Sequence, residues 1–380
     1  MMCAYFPRIG RTGAAALPAL FLVSLALAGA PSPRPDTGAE QTPNQLASLG
    51  VFRFESGETI DDLKISYVTH GKLSASRDNA ILLLHAFAGN DHNLDYLIGP
   101  GKALDPEKYF IIAADYIANS RLRLDLSTGP TNSGLKMRFP RITARDWVNA
   151  DYKLVKDYLG IDHLVAAIGD SIGGITSLQL AVSHPDFVKS IIPIGGTTHT
   201  NPRTQLLLRH MKDIIALDPG WYGGMYEQNP STGLALALME LTPWLYSPAF
   251  YVETLTTSEK VRNFQSFWNR VWTVIVPQDA RDIYYQLEGW AEFNIGDTPG
   301  FNGDIKSALS AITAKTLLIG IKEDLLMRPE EQEFAKNAIR NASYLEISTP
   351  AGHVAVVGGL DPKFDETING EIAKFLATIR

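Results

Sequence analysis

The amino-acid sequence predicts an α/β fold, a mostly parallel, doubly wound sheet with an inserted helical lid. Two observations predict it. Short apolar runs typical of buried strands alternate with longer helical segments along most of the 380-residue chain, a pattern that favours parallel strands joined by helical crossovers. The segment 197–305 breaks this alternation, because it is helical in pattern and contains every Trp except Trp147. We predict a core formed by 49–196 and 306–380 and a lid formed by 197–305.

The predicted core strands are short apolar runs, and no helix lies between the first two. They lie near residues 50–55, 63–69, 80–85, 109–114, 163–168, 189–194, 315–320 and 343–347. The first two are therefore expected to form an antiparallel hairpin, because a parallel pair needs a long crossover. Helices are predicted near 143–158, 172–184, 329–339 and 363–378 in the core, and near 203–217, 231–242, 247–256, 258–271 and 279–293 in the lid.

The most informative motif is the G-x-S-x-G sequence at 169–173, between a predicted strand and a predicted helix. This arrangement is typical of a nucleophile elbow, a sharp turn that exposes a Ser hydroxyl at the end of the sheet. Glycines fit on both sides of the turn, because a side chain there would clash with the neighbouring backbone. The first N–H groups of the following helix can stabilise an oxyanion. We predict Ser171 as the nucleophile; the alternative is a plain Gly-rich turn.

A serine nucleophile needs a base and an acid, and after this elbow they follow in the order Ser, Asp or Glu, His. Asp324 follows the predicted strand at 315–320, and His353 follows the one at 343–347. Both therefore lie at the carboxyl edge of the sheet, where open α/β sheets keep their sites. We predict that His353 takes the proton of Ser171 and that Asp324 orients the imidazole, with Glu323 as the alternative acid.

The other histidines are weaker candidates for the base. His85 ends an apolar strand and precedes Ser171, so a packed structural role is expected. His184 lies at the far end of the helix that follows the elbow. No metal site is predicted, because the neighbouring Asp91 and His92 supply too few ligands.

From about residue 50 to its end, the sequence resembles the homoserine O-acetyltransferase family of α/β-hydrolases. The matching segments are LLHAFAG at 83–89, IGPGKALD at 98–105, STGP at 127–130, the elbow itself, and Asp218-Pro219 with Trp221 and Tyr226. The resemblance implies the α/β-hydrolase fold and the triad Ser171, Asp324 and His353. It also implies an oxyanion hole made by the backbone N–H groups of Phe87 and Ile172, and a homodimer through the lid.

Two positions depart from the family pattern. Its acetyltransferases usually carry an Arg on the first lid helix, where this sequence has Lys212, or Arg209 if the helix is shifted by one turn. Lys cannot make the bidentate contact that Arg makes with a carboxylate. The family's usual Asp at the end of the last lid helix is Asn294 here. Lys212, Arg209, Tyr226 and Asn294 are the candidate substrate-binding residues. The lid aromatics either line a pocket or fill the lid's own core.

The N-terminal segment predicts export. Residues 1–28 contain Arg8 and Arg11, no acidic residue, and an apolar run that ends in the small-residue sequence Ala26-Leu27-Ala28. This pattern is typical of a signal peptide removed near Ala28/Gly29, and it predicts a periplasmic protein. A disordered linker is predicted over 29–48. Loss of the two Arg residues changes the net charge from −7 to −9, which gives no reason to expect nucleic acid or a membrane surface as a partner.

Three functions remain open. The favoured one is an exported hydrolase of a short-chain carboxylic ester, acting through an acyl-Ser171 intermediate. The second is an O-acetyltransferase that moves acetyl from acetyl-CoA to homoserine or another alcohol. The third is a catalytically silent binding protein on the same fold. The first two differ in whether water or an alcohol attacks the acyl-enzyme, and export favours water because acetyl-CoA is not expected outside the cytoplasm. The expected partner is a small acyl ester, and no cofactor is predicted.

Overall fold

The computed structural model describes residues 43–254, 269 and 278–379. Its strands are β1 (Gln45–Ser48), β2 (Phe52–Arg53), β3 (Thr59–Ile60), β4 (Lys64–His70), β5 (Ala80–Leu84), β6 (Phe110–Ala114), β7 (Ala166–Asp170), β8 (Ser190–Ile194), β9 (Lys315–Ile321) and β10 (Ala342–Ile347). Eight of them form one sheet in the order β1-β4-β6-β5-β7-β8-β9-β10. The pairs β1/β4 and β4/β6 are antiparallel, and the remaining pairs are parallel. The predicted mostly parallel sheet is therefore confirmed.

The helices connect the strands and occupy the segment between β8 and β9. They are α1 (Ala144–Lys153), α2 (Ile172–Ser183), α3 (Pro202–Leu217), α4 (Ser231–Leu245), α5 (Ala280–Ala291), α6 (Ile305–Ser310), α7 (Pro329–Ala338) and α8 (Pro362–Leu376). Side-chain caps fix several starts, because the first N–H groups of a helix lack an internal partner. Thr143 and Asp146 form a capping box on α1, Asn201 caps α3, and Asp279 caps α5.

The sheet is covered on both faces, which explains why its central strands are apolar throughout. Every residue of β5 is buried. Ile81 and Leu83 belong to the hydrophobic cluster on one face, whereas Leu82 and Leu84 belong to the cluster on the other. Alternate side chains of a strand point to opposite faces, so both faces carry a core. The strand ends are thereby held rigidly at the edge where the candidate residues lie.

Two details of the predicted N-terminal region are wrong. Residues 45–48, assigned to the linker 29–48, form β1 and pair antiparallel with β4. The predicted strand near 50–55 is reduced to β2, which pairs with β3 instead. Gln45 and Ser48 made this stretch look polar, but Ala47 is fully buried in the core. The predicted signal peptide, residues 29–42 of the predicted linker, and the predicted lid helix at 258–271 except residue 269 lie outside the described residues.

Part of the described 197–305 segment packs on itself. The ring of Trp221 lies 5.7 Å from that of Tyr226 and 5.2 Å from that of Tyr284, and Trp221 and Tyr226 are buried. These rings therefore fill an aromatic core between the helices. In the predicted helix at 247–256, the described residues form a π-helical turn over Phe250–Thr254. Within the described ranges, no helix is long and apolar enough to cross a bilayer.

Candidate active site

Ser171 stands in a strained turn between β7 and α2. Its backbone has φ 56° and ψ −113°, a conformation that costs an L residue about 1–3 kcal/mol. The flanking glycines make the turn sterically possible. A Cβ on Gly169 would lie 2.0 Å from the carbonyl oxygen of Gly173, and a Cβ on Gly173 would lie 1.9 Å from the carbonyl oxygen of Leu84. The close approach of strand, turn and helix thus requires glycine at both positions.

The three residues predicted as a triad meet at the carboxyl edge of the sheet. Nε2 of His353 lies 2.9 Å from the hydroxyl oxygen of Ser171, and Nδ1 lies 2.6 Å from Oδ2 of Asp324. Because a carboxylate can only accept, the imidazole donates its Nδ1–H to Asp324 and accepts the Ser171 hydroxyl hydrogen at Nε2. This tautomer is the one that can remove a proton from Ser171.

The carboxylate of Asp324 is fixed on both sides. Its Oδ1 accepts backbone hydrogen bonds from Leu326 and Met327, each at 2.8 Å, so Oδ2 is turned toward His353. Glu323, the alternative acid, points elsewhere. It accepts hydrogen bonds from the Ser348 hydroxyl at 2.5 Å and the Thr349 N–H at 2.8 Å. Glu323 therefore holds the loop before His353, and the carboxylate against the imidazole is that of Asp324.

The site is shielded from solvent. Ser171 and Asp324 are 3% exposed and His353 is 2% exposed. The lid segment contributes to this cover, because the Ser247 hydroxyl donates to the carbonyl oxygen of Pro350 at 2.5 Å, in the loop that leads to His353. Charges that develop in such a site are screened less than in water. The arrangement suits a reaction that passes through a charged tetrahedral intermediate.

The predicted oxyanion-hole residues Phe87 and Ile172 follow two strands of the sheet that end at the elbow. Ile172 begins α2, and the next residue, Gly173, packs against the carbonyl groups of Leu84 and His85, just before Phe87. Among the described residues, neither N–H group has a hydrogen-bond acceptor. Unpaired N–H groups of this kind can donate hydrogen bonds to a developing oxyanion, and their role as the oxyanion hole stays a prediction.

A buried polar group supports the base of the elbow. Asp170 is fully buried, and its Oδ2 accepts a hydrogen bond of 3.0 Å from Asn93, while its Oδ1 has no partner among the described residues. Burial raises the pKa of Asp170 to about 7, although the Asn93 hydrogen bond opposes the rise. His85 nearby is 2% exposed and bonds Asp115 at 2.9 Å. Its hydrogen-bonded position fits the structural role expected for it.

The four candidate substrate-binding residues have partners within the chain. Nζ of Lys212 lies 3.3 Å from Glu288 and 4.4 Å from the ring centroid of Tyr284. Individual contacts of the other three are Arg209 with Asp213 at 2.9 Å, the Tyr226 hydroxyl with Asp279 at 2.9 Å, and the Asn294 amide with Asp297 at 3.2 Å. Their roles in substrate binding stay predictions. In the described part of the chain, no group of three or more His, Cys, Asp or Glu residues is arranged to hold a metal ion.

Comparison with known proteins identifies the family to which the chain belongs. Residues 79–360 match the model of the α/β-hydrolase fold family. The chain is 32% identical over 337 residues to a homoserine O-acetyltransferase of Leptospira biflexa, covering 81% of this chain and 88% of that protein. The chain belongs to the homoserine O-acetyltransferase-like family of α/β-hydrolases. Like the other members of this family, it is an enzyme.

The related proteins of known structure include both an ester hydrolase and an acetyltransferase. An acetylester hydrolase from Corynebacterium glutamicum superposes with a TM-score of 0.83 at 25% identity, over 88% of this chain and 96% of that one. A homoserine O-acetyltransferase from Bacillus anthracis superposes with a TM-score of 0.80 at 28% identity, over 89% and 98%. The family fold therefore carries both ester hydrolysis and acetyl transfer.

Sequence reasoning missed two glutamines that contact the loop carrying Phe87. The Gln286 side chain accepts a hydrogen bond from the N–H of Ala88 at 3.2 Å, and the Gln278 amide donates to the Ala88 carbonyl oxygen at 3.1 Å. One signal was present in the sequence. Gln286 lies on the apolar face of its helix, between Ile283 and Trp290, where a polar residue is unexpected.

Proposed function

We propose that this enzyme transfers acetyl groups between oxygen atoms or from a thioester to an alcohol, through an acetyl-Ser171 intermediate. The Ser171 hydroxyl attacks the acetyl carbonyl carbon while its proton passes to Nε2 of His353. Asp324 stabilises the resulting imidazolium, and the N–H groups of Phe87 and Ile172 stabilise the oxyanion. The intermediate collapses when His353 protonates the leaving group. The hydrogen-bonded line Ser171–His353–Asp324 carries this proposal.

An alcohol is proposed as the acceptor of the acetyl group. The acceptor hydroxyl gives its proton to Nε2 of His353 and attacks the acetyl carbonyl carbon. The bond from that carbon to the Ser171 oxygen then breaks, His353 returns the proton to Ser171, and the acceptor leaves as an acetyl ester. The burial of Ser171, at 3% exposed, supports this choice, because a transferase must exclude water from the acyl-enzyme. The curated relatives are named for acetyl transfer to homoserine, so homoserine is the proposed acceptor. The proposed donor is a small acetyl ester for an exported protein, and acetyl-CoA only for a chain that stays in the cytoplasm.

Ester hydrolysis is the second candidate. It is favoured by the ion pair between Lys212 and Glu288. Lys212 is the predicted partner of the homoserine carboxylate, and in this structure its ammonium group is already paired with Glu288. Charge-assisted hydrogen bonds contribute about 1.5–3 kcal/mol each, so a missing pair reduces acceptor affinity enough for water to compete. The name of the Corynebacterium glutamicum relative supports the same alternative. Export, if the predicted signal peptide is used, also favours a hydrolase.

The deciding experiment follows the acetyl group. Purified mature protein receives acetyl-CoA or a short-chain aryl acetate, with and without millimolar homoserine, and free acetate and O-acetylhomoserine are quantified. Saturable formation of O-acetylhomoserine is expected for the transferase. Free acetate at a rate insensitive to homoserine identifies the hydrolase. Absence of both products, under conditions where a Ser171→Ala control behaves identically, would contradict acetyl chemistry altogether.

Two further proposals concern the cell biology of the protein. We propose that the mature chain begins near Gly29 in the periplasm, where its substrate is a small acyl ester or acetyl donor, and that the lid mediates a homodimer. N-terminal sequencing of protein from fractionated cells tests the first, and sedimentation tests the second. An intact Met1 in the soluble cytoplasmic fraction at native expression would contradict export and strengthen the transferase assignment.

A further inference from the structure

The loop that carries Phe87 contains a residue in a costly conformation. We call residues 86–89 the oxyanion loop. The N–H of Gly89 donates to the carbonyl oxygen of Ala86 at 2.9 Å and closes the loop into a tight turn. Ala88, inside this turn, has φ 53°. A left-handed backbone is unfavourable at a residue other than glycine and persists only where its surroundings stabilise it.

Two glutamine side chains stabilise this conformation of Ala88 by hydrogen bonds. Oε1 of Gln286 accepts from the N–H of Ala88 at 3.2 Å, while its Nε2 donates to the carbonyl oxygen of Ala118 at 2.7 Å. Nε2 of Gln278 donates to the carbonyl oxygen of Ala88 at 3.1 Å. Both backbone polar groups of Ala88 are therefore bound by side chains from the lid segment. Gln286 is 1% exposed, so water cannot replace it without rearrangement.

The same helix also contacts the side chain of Phe87. Trp290 lies one turn after Gln286 on α5, and its ring centroid is 5.6 Å from that of Phe87. Residues four apart share one face of a helix. The helix α5 therefore touches the oxyanion loop twice, once at a backbone N–H and once at a ring. The position of the loop is tied to the position of this lid helix.

The hydrogen bond between Gln286 and Ala88 affects the direction in which the N–H of Phe87 points. Without Gln286, the N–H of the half-buried Ala88 would lose its acceptor, which favours rotation of the Phe87–Ala88 peptide. Because the turn is closed by Gly89 and Ala86, that rotation also displaces the adjoining peptide, which carries the N–H of Phe87. A misdirected donor stabilises the oxyanion less than a preorganised one.

We propose that Gln286 is a positioning residue, which holds the oxyanion loop so that the N–H of Phe87 faces the developing oxyanion. This inference rests on the proposed function, because it takes that N–H as a donor of the oxyanion hole. The lid segment then does more than cover the site. Through Gln286 it sets the geometry that stabilises the transition state.

The first test separates transition-state stabilisation from simple loss of structure. Gln286→Met should lower kcat about 10- to 100-fold while KM changes by less than about 3-fold, because the oxyanion forms only after substrate binds. The affinity for an acetyl-like trifluoromethyl ketone, which forms a hemiketal oxyanion on Ser171, should fall by a similar factor. The matched control is Gln179→Met. Gln179 is equally buried and bonds Ser183 and Thr298, so this change should reduce stability but leave kcat within about 2-fold.

A second variant gives a readout that a merely structural role would not move. In Gln286→Glu, a protonated carboxyl can accept from Ala88 and donate to Ala118, whereas the ionised form cannot donate to the Ala118 carbonyl. The ratio of its kcat to that of wild type should therefore rise as the pH is lowered. This variant also keeps the test decisive if Gln286→Met does not fold.

The outcomes are distinguishable from failure of the proposed function. Wild-type protein that is not labelled at Ser171 by a fluorophosphonate would overturn the proposed function, and with it the role of Gln286. Labelled wild type, with kcat of Gln286→Met within about 3-fold of it or a pH-independent Gln286→Glu ratio, would overturn the role of Gln286 alone.

Discussion

Nε2 of His353 lies 2.9 Å from the hydroxyl oxygen of Ser171, although the two residues are 182 positions apart in the sequence. The parallel sheet explains the meeting. Ser171 directly follows β7 and His353 follows β10, and the carboxyl ends of parallel strands share one edge of the sheet. Their hydrogen bond is the contact through which a proton can leave the nucleophile.

Ser171→Ala should abolish turnover of an acetyl ester and leave the fold intact. The variant lacks the hydroxyl that is hydrogen-bonded to His353, and loss of a triad nucleophile costs about 10⁶-fold in kcat in a well-studied serine protease. Steady-state rates and circular dichroism check both parts. Residual activity above about a hundredth of wild type would assign the nucleophile to another residue.

Substitution of the adjacent carboxylates Glu323 and Asp324 should lower kcat to different extents. In Asp324→Asn, the N–H groups of Leu326 and Met327 keep the amide oxygen on their side. The amide NH2 then faces Nδ1 of His353 and favours the wrong tautomer, so kcat should fall by about 10⁴-fold. Glu323→Gln keeps a carbonyl oxygen for the Thr349 N–H, and its NH2 can donate to the Ser348 hydroxyl. A fall of less than about 10-fold is therefore expected. A greater loss in Glu323→Gln than in Asp324→Asn would show that the acid has been assigned to the wrong carboxylate.

Lys212→Met should have a small effect. Its ammonium group pairs with Glu288 and lies over the ring of Tyr284, so the expected loss is about 1 kcal/mol or less in the free energy of unfolding. Acetyl-ester cleavage and the KM for homoserine should change by less than about 2-fold. Chemical denaturation and initial rates provide the measurement. A large rise in the KM for homoserine would instead make Lys212 a substrate contact.

The stability of the protein should depend on the charge of Asp170. Burial raises the pKa of Asp170 to about 7 in the folded state, above its usual value near 4 when unfolded. Asp170 therefore binds its proton more tightly in the folded state than in the unfolded state. The stabilisation is complete below about pH 4 and is lost as the pH rises toward 7, with a slope of up to about 1.4 kcal/mol per pH unit for one proton.

Asp170→Asn should remove that part of the pH dependence. The free energy of unfolding of wild type and variant, measured by urea denaturation between pH 4.5 and 7.5, should converge or cross as the pH rises. The burial of Asp146, which raises its pKa to about 6, acts in the same direction in both proteins and cancels in the comparison. Identical slopes for wild type and variant would mean that Asp170 is ionised in the folded state.

The sequence was sufficient for those parts of the site that follow local rules. The glycines around Ser171 reveal the elbow because the turn admits nothing larger, and Asp324 and His353 each follow an apolar strand. The contacts of Gln286 and Gln278 with Ala88 could not be predicted, because they span 198 and 190 positions and no local pattern specifies them. Strand β1 was missed because short edge strands carry little hydrophobic signal.

The acetyl-enzyme itself provides the most direct test of the proposed chemistry. Protein mixed with excess aryl acetate and quenched in acid within the burst should gain the mass of one acetyl group, and peptide mapping should place it on Ser171. Ser171→Ala should gain none. Addition of homoserine before the quench should reduce the acetylated fraction if an alcohol is the acceptor. Turnover with no acetylated Ser171 at any quench time, or acetylation at another residue that decays at the turnover rate, would contradict the account.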